Sequence, residues 1–349
     1  MAVRRTRIGT TVQACVAVLV CAVVASCNAA TTAVRATQPA SPSATHRATS
    51  AAALDPLTIP AMRERTYPAS VLTFVRSDGD QGGFVSSIVS YQSDGLTEYA
   101  LLSVPDGVKP SKGWPVIVLN HGYINPATYR TDDASYAEFI AAFARAGYMV
   151  VKPDYRGHGM SEGVADGGHL SPVYAYDVLN LISTLAADPR VDSARIGLFG
   201  HSMGGHEALR VMVVSSQIKA AVFMAGVVGS FYDFFYNWPQ RHEPPDLPAS
   251  MRKAGNAVIA VHGTPISNPS FWDAASAINY VSATTAAVQI DQDVDDSVVP
   301  KTFADHLEAA LMAAGKDVEY RTYPGDDHQF VLNRQTALAN MVRFYQQHL

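Results

Sequence analysis

The sequence predicts an α/β fold: a mostly parallel central sheet with helices on both faces and a small cap-like insertion. Two observations carry this. Short apolar, β-branched runs alternate with helical stretches along most of the chain, as parallel strands joined by crossover helices require. In addition, Gly200-His201-Ser202-Met203-Gly204-Gly205 fits G-x-S-x-G, a sharp strand-to-helix turn that raises a serine hydroxyl above a sheet. Its flanks agree, with an apolar strand over 195–199 and a helix over 207–212. The glycines leave room where side chains would collide with the strand and the helix.

The chain starts with an address. Arg4, Arg5 and Arg7 precede an apolar run over 8–25, the pattern of an export signal. The run ends Val24-Ala25-Ser26-Cys27, which resembles a bacterial lipobox, so residues 1–26 read as a lipoprotein-type signal peptide and Cys27 as the lipidated mature N-terminus. An ordinary cleaved signal and an uncleaved span are the alternatives, since eighteen apolar residues just suffice to cross a bilayer. The expected location is therefore the bacterial cell envelope, on the outer face of the membrane. Residues 27–62 are dominated at first by Ala, Thr, Ser and Pro and read as a flexible tether. The remaining stretch, 63–349, reads as one catalytic domain, because 349 residues at 48 % hydrophobic bury a full core and no linker divides the middle.

Charge and cysteine usage exclude several functions. Loss of the signal removes three of the 26 Lys and Arg and none of the 31 Asp and Glu, for a mature formal charge of −8, which argues against a nucleic-acid partner. Of the three cysteines, two lie inside the signal, so no disulfide is expected. No phosphate-binding glycine loop, HExxH or paired-Cys pattern occurs, and no cofactor or metal is expected.

Beyond the tether, 85–91 and 97–104 read as an antiparallel pair joined at Ser93-Asp94-Gly95 and forming the sheet edge. A strand over 115–120 runs into His121-Gly122-Tyr123. A helix over 136–146, a strand over 148–152, the loop Asp154-Tyr155-Arg156-Gly157-His158-Gly159, a helix over 175–187, the strand and helix around Ser202 and a strand over 220–224 continue the alternation. Between Phe231 and Trp272 aromatics and prolines interrupt it, in a segment too long for a simple connection. Residues 230–275 read either as a cap over the serine or as aromatic packing on the sheet. Inside it, Val261-His262-Gly263 only imitates an acid-bearing strand end.

A serine nucleophile needs a base and an acid that orients the base. Of the eleven histidines, His328 is best placed, in Tyr323-Pro324-Gly325-Asp326-Asp327-His328 between a strand over 318–322 and a C-terminal helix. His46, His242, His306 and His348 are badly placed, and His121, His158, His169, His201, His206 and His262 read as structural. For the acid, residues 288–300 offer Asp291, Asp293, Asp295 and Asp296, of which Asp291 and Asp293 read as solvated loop residues.

From about Val85 onward, the chain resembles the α/β-hydrolase families of the prolyl oligopeptidase and dienelactone hydrolase type. Their acid lies in a stretch like H-G-x-x-D-x-x-V-P. Set on Val299-Pro300, that pattern puts the acid at Asp296 and the His-Gly at Gln292-Asp293, a departure that keeps Asp295 as a rival. The order Ser202, Asp296, His328 is the order of this fold. The resemblance implies an α/β-hydrolase fold and a serine hydrolase, esterase or peptidase. It also implies an oxyanion hole built from the backbone N–H groups of Met203 and Tyr123. Peptidase relatives often carry a β-propeller, for which this chain has no room, so the expected substrate is a small ester or a short peptide. An inactive binding scaffold and an acyltransferase are the competing classes. Oligomeric state is not legible.

Overall fold

A computed structural model of the chain describes residues 54–239, 241 and 243–349. The expected signal peptide, Cys27, His46, His242 and the tether up to residue 53 lie outside the described residues. The described residues form one compact unit.

Among the described residues, nine strands form one sheet: β1 Thr73–Asp80, β2 Phe84–Ser93, β3 Leu96–Pro105, β4 Trp114–Asn120, β5 Met149–Pro153, β6 Val191–His201, β7 Ile218–Met224, β8 Ala287–Asp293 and β9 Val318–Tyr323. They lie in the order β1-β2-β3-β5-β4-β6-β7-β8-β9. The first three are antiparallel to their neighbours, and β5 to β9 run parallel with β4 among them. The expected pair is thus β2 and β3, but it is not the edge. The edge is β1, whose mostly exposed residues give no apolar signal.

The described residues also form nine α-helices: α1 Ile59–Glu64, α2 Ala137–Arg145, α3 Val173–Ala187, α4 Met203–Val214, α5 Phe231–Tyr236, α6 Ala249–His262, α7 Pro269–Ala275, α8 Lys301–Ala313 and α9 Arg334–His348. Alternation along the strands separates two cores. Val116, Val118, Ala221 and Phe223 pack with α1, α3, α4 and α8 on one face, whereas Ile117, Leu119, Ala220 and Val222 pack with α2 and α9 on the other. Leu57, Ile59 and Met62 are buried in the first core, so the packed unit includes residues that composition assigns to the tether.

The strand order reverses at β4, which lies between β5 and β6. At such a switch point the crossover helices diverge and leave a crevice at the carboxyl ends of the strands. The loops after β4, β6, β8 and β9 all open on that edge, and they carry His121-Gly122-Tyr123, Ser202, Asp296 and His328 respectively.

Candidate active site

Ser202 joins β6 directly to α4 with φ 55° and ψ −121°, a left-handed conformation that a side-chain-bearing residue adopts only under constraint. The constraint is visible in three backbone hydrogen bonds. Ser202 N–H donates to the Met224 carbonyl (3.2 Å), and its carbonyl accepts from Gly205 and Val227 (3.0 Å each). Close approach explains the glycines. A Cβ on Gly204 would lie 2.1 Å from the Asn120 carbonyl oxygen, and one on Gly200 2.6 Å from the Gly204 carbonyl oxygen.

His328, on the loop after β9, has its Nδ1 2.8 Å from Asp296 Oδ2. Asp296 is buried, and burial raises its pKa. The hydrogen bond and charge of His328, with the N–H groups of Val299 (2.9 Å) and Val298 (2.8 Å) on Oδ1, outweigh burial and hold the carboxyl below its ordinary value. Asp295 is exposed and instead accepts from Gly325 N–H at 3.3 Å. Gln292, where the family pattern has histidine, donates from Nε2 to Asp296 Oδ2 (3.2 Å), so the departure supplies Asp296 with another donor. Asp291 and Asp293 are not solvated loop residues but buried residues of β8. Asp291 accepts from the Tyr323 hydroxyl (2.7 Å) and Gln289 Nε2 (2.6 Å), partners that lie on neighbouring β9 and within β8 itself.

His201 has a connection that a linear reading misses. Its buried ring lies against that of His328, with centroids 4.9 Å apart. Its Nε2 is 3.1 Å from the His328 carbonyl oxygen, and its Nδ1 is 2.8 Å from the Tyr136 hydroxyl, which also accepts from Gly122 N–H (2.8 Å). One tautomer satisfies every contact: the Tyr136 O–H donates to Nδ1, and Nε2–H donates to the carbonyl. Burial, reinforced by the neighbouring His328, lowers the His201 pKa to about 3 and keeps the ring neutral. A continuous relay therefore ties the loop after β4 to the loop that carries His328. Signals for it existed only as isolated residues, because its members lie 65 and 127 positions from His201.

Met203 is the first residue of α4, where an N–H has no intrahelical acceptor and the helix dipole favours negative charge. Tyr123 and Met203 line one cleft with Ser202. The Tyr123 hydroxyl is turned to the Asp246 carbonyl (3.2 Å). The cleft encloses about 230 Å³, and Phe234, Trp238, Leu247, Met251 and Ile259 of the 230–275 segment form its apolar wall. The aromatics of that segment divide between both expected roles. Phe231 and Trp272 are buried in the core with ring centroids 4.9 Å apart, while Phe234 and Trp238 face the cleft. Val261 and His262 end α6 rather than a strand; His262 stacks on Phe271 and its Nε2 lies 2.9 Å from Asp55.

Asp154 is buried under the Tyr129 (3.0 Å) and Thr131 (2.5 Å) hydroxyls, consistent with a structural loop. Among the described residues, no three His, Cys, Asp or Glu side chains are grouped as a metal ion requires.

A model of the prolyl oligopeptidase family matches residues 134–349. A "Probable dipeptidyl-aminopeptidase B" of Aspergillus oryzae is 29 % identical over 251 residues, 67 % of this chain but 24 % of that protein, so the chain spans about a quarter of that relative's length. Esterase YjfP of Escherichia coli is 24 % identical over 245 residues, 67 % of this chain and 89 % of the esterase. Among solved structures, an acetyl xylan esterase from Paenibacillus sp. R4 superposes with a TM-score of 0.64 at 19 % identity, covering 83 % of this chain and 92 % of the other. The acylaminoacyl peptidase of Pyrococcus horikoshii superposes with a TM-score of 0.60 at 20 % identity, covering 77 % and 42 %. These likenesses agree with the α/β-hydrolase architecture described above. With the family match spanning most of the sheet, both core faces and the loops that bear Ser202, Asp296 and His328, the chain belongs to the prolyl oligopeptidase family.

Proposed function

We propose that the protein cleaves carboxylic esters or short peptide amides through an acyl-enzyme on Ser202, with Asp296 and His328 completing a triad. The observation that carries this reading is the 2.8 Å contact between His328 Nδ1 and Asp296, on the loops next to a strained Ser202 in an apolar cleft. His328 takes the Ser202 proton on Nε2 as Oγ attacks the carbonyl carbon, and Asp296 holds Nδ1–H and stabilises the imidazolium. The N–H groups of Met203 and Tyr123 receive the oxyanion, each donor being worth roughly 3 kcal/mol in such a site. His328 then protonates the departing alcohol or amine. In the second half, it deprotonates a water that displaces the acyl group and regenerates Ser202.

Within this class an esterase is favoured. The relatives that this chain covers almost end to end are named as esterases, whereas the peptidase relatives are covered over less than half their length. The test is a panel of p-nitrophenyl acetate, butyrate and hexanoate against alanyl and dipeptidyl p-nitroanilides. Higher kcat/KM on the esters supports an esterase; higher values on the anilides would make it a peptidase.

The same proposal includes export and lipid anchoring at Cys27, on the strength of the Arg-led apolar run and the Val24-Ala25-Ser26-Cys27 sequence. Metabolic labelling with an alkyne fatty acid should mark the wild type and not Cys27→Ser. Equal labelling of both would overturn the anchor.

A further inference from the structure

The cleft holds a cation without a carboxylate partner and a second polar group without a hydrogen-bond partner. Arg241 lies at its wall with the guanidinium 4.0 Å from the Phe234 ring centroid and its Nη1 3.4 Å from the Phe234 carbonyl, a long contact. Among the described residues, no carboxylate is within ion-pair distance of it. The nearby acids have other partners: Glu243, which also lines the cleft, lies 3.6 Å from Arg252 of the same lining, and the Asp246 carboxylate accepts from Asn125 (2.7 Å) and Tyr123 (3.4 Å). His169 lines the same cleft, against Phe234 (5.0 Å between centroids) and Trp238 (6.0 Å). Its Nε2 is buried without a hydrogen-bond partner. Burial first, then the charges of Arg241 and Arg210, hold this ring neutral. A neutral imidazole in its Nε2–H form is a donor, and Arg241 adds a planar fork of donors. Both groups thus have donors to offer an acceptor, and the Arg241 charge favours a negative one, in a wall of Phe234, Trp238, Leu247 and Met251 that strengthens ionic contacts by excluding water.

Building on the hydrolase reading, we infer that Arg241 and His169 form a carboxylate subsite, so that the preferred substrates are esters carrying a second, ionised carboxyl group. A planar carboxylate matches the guanidinium fork, and the surrounding apolar wall accommodates a short methylene chain between that carboxylate and the scissile carbonyl or alcohol.

The experiment uses the full-length protein and two matched ester pairs. In the first, mono-p-nitrophenyl adipate is compared with p-nitrophenyl hexanoate; in the second, followed by pH-stat, 5-acetoxypentanoate is compared with pentyl acetate. The readout is the ratio of kcat/KM within each pair. The inference predicts that the charged member wins at least one pair, the winning pair showing whether the carboxylate belongs to the acyl or the alcohol side. In Arg241→Gln that ratio falls roughly ten- to a hundredfold, the range for a lost hydrogen-bonded charge contact, and Arg241→Lys retains part of it. A preference for the uncharged member in both pairs, or an unchanged ratio in Arg241→Gln, would overturn the subsite while Ser202-dependent turnover leaves the hydrolase intact. No turnover of any ester, together with no labelling of Ser202, would remove the hydrolase reading and this inference with it.

Discussion

Replacing Tyr136 by Phe removes one oxygen and tests whether the relay through His201 matters. The ring stays in its pocket against Phe139 (centroids 6.0 Å), so no cavity forms. What is lost is the acceptor for Gly122 N–H and the donor to His201 Nδ1, both at 2.8 Å and both buried. Each orphaned group costs about 1–3 kcal/mol, and two together roughly 2–6 kcal/mol. For a domain of this size, with an unfolding entropy of about 0.6 kcal/mol/K, that is a fall in Tm of roughly 3–10 °C. The functional consequence is separate. Without its partner on Nδ1, His201 is no longer held in the tautomer that donates to the His328 carbonyl, and the loop that carries Tyr123 loses its anchor at Gly122. Misplacement of a catalytic group by about 1 Å costs up to about a hundredfold in rate, so kcat should fall ten- to a hundredfold with KM changing far less. Thermal melts by circular dichroism and steady-state kinetics on p-nitrophenyl butyrate measure both effects. A variant with wild-type Tm and a kcat within twofold of wild type would show that the relay carries neither stability nor alignment.

Asp296→Asn should lower kcat by a factor on the order of 10⁴ with KM little changed, because the amide favours the wrong imidazole tautomer and carries no charge. Asp295→Asn, on an exposed carboxylate, should stay within about threefold; the reverse pattern would make Asp295 the acid. Gly204→Ala should fail to give a cooperatively melting protein, since its Cβ meets the Asn120 carbonyl oxygen at 2.1 Å, and a normal melt would refute the packing of the elbow. Glu207, buried on α4, has its carboxyl pushed up to about 8 by burial, with Arg210 offsetting part of the shift. A carboxyl with its folded pKa above the unfolded value of about 4.3 is favourable at low pH and loses that stability as pH rises from about 4 through 8. Urea midpoints should therefore fall from pH 5 to pH 8.5, and fall less in Glu207→Gln; equal slopes would mean that Glu207 does not titrate there. Asp154 and Asp291, each raised to about 7 by burial, act in the same direction, so the substitution reduces the slope without abolishing it.

The features legible in sequence are those whose cause is local. The elbow shows because glycines must flank a strained serine within six residues, and β4 and β7 show because strands covered on both faces are continuous apolar runs. What stayed hidden depends on partners distant in the chain. The strand β1 has an exposed, charged pattern that resembles a loop, and it is a strand only because β2 is beside it. Asp291 reads as solvated until Tyr323 on β9 supplies its donor. Ile59 and Met62 lie at the end of the stretch that reads as a tether, and their burial comes from helices more than a hundred residues away. Gln292 reads as a loss from the family pattern, although its amide still reaches Asp296.

The central claim is that Ser202 is an activated nucleophile. The most direct measurement is treatment of the full-length protein with a fluorophosphonate probe, followed by peptide mass spectrometry, on wild type and Ser202→Ala. The account predicts a single labelled peptide with the adduct on Ser202, absent in the variant; a folded wild-type protein that takes no label, or takes it on another residue, would contradict it.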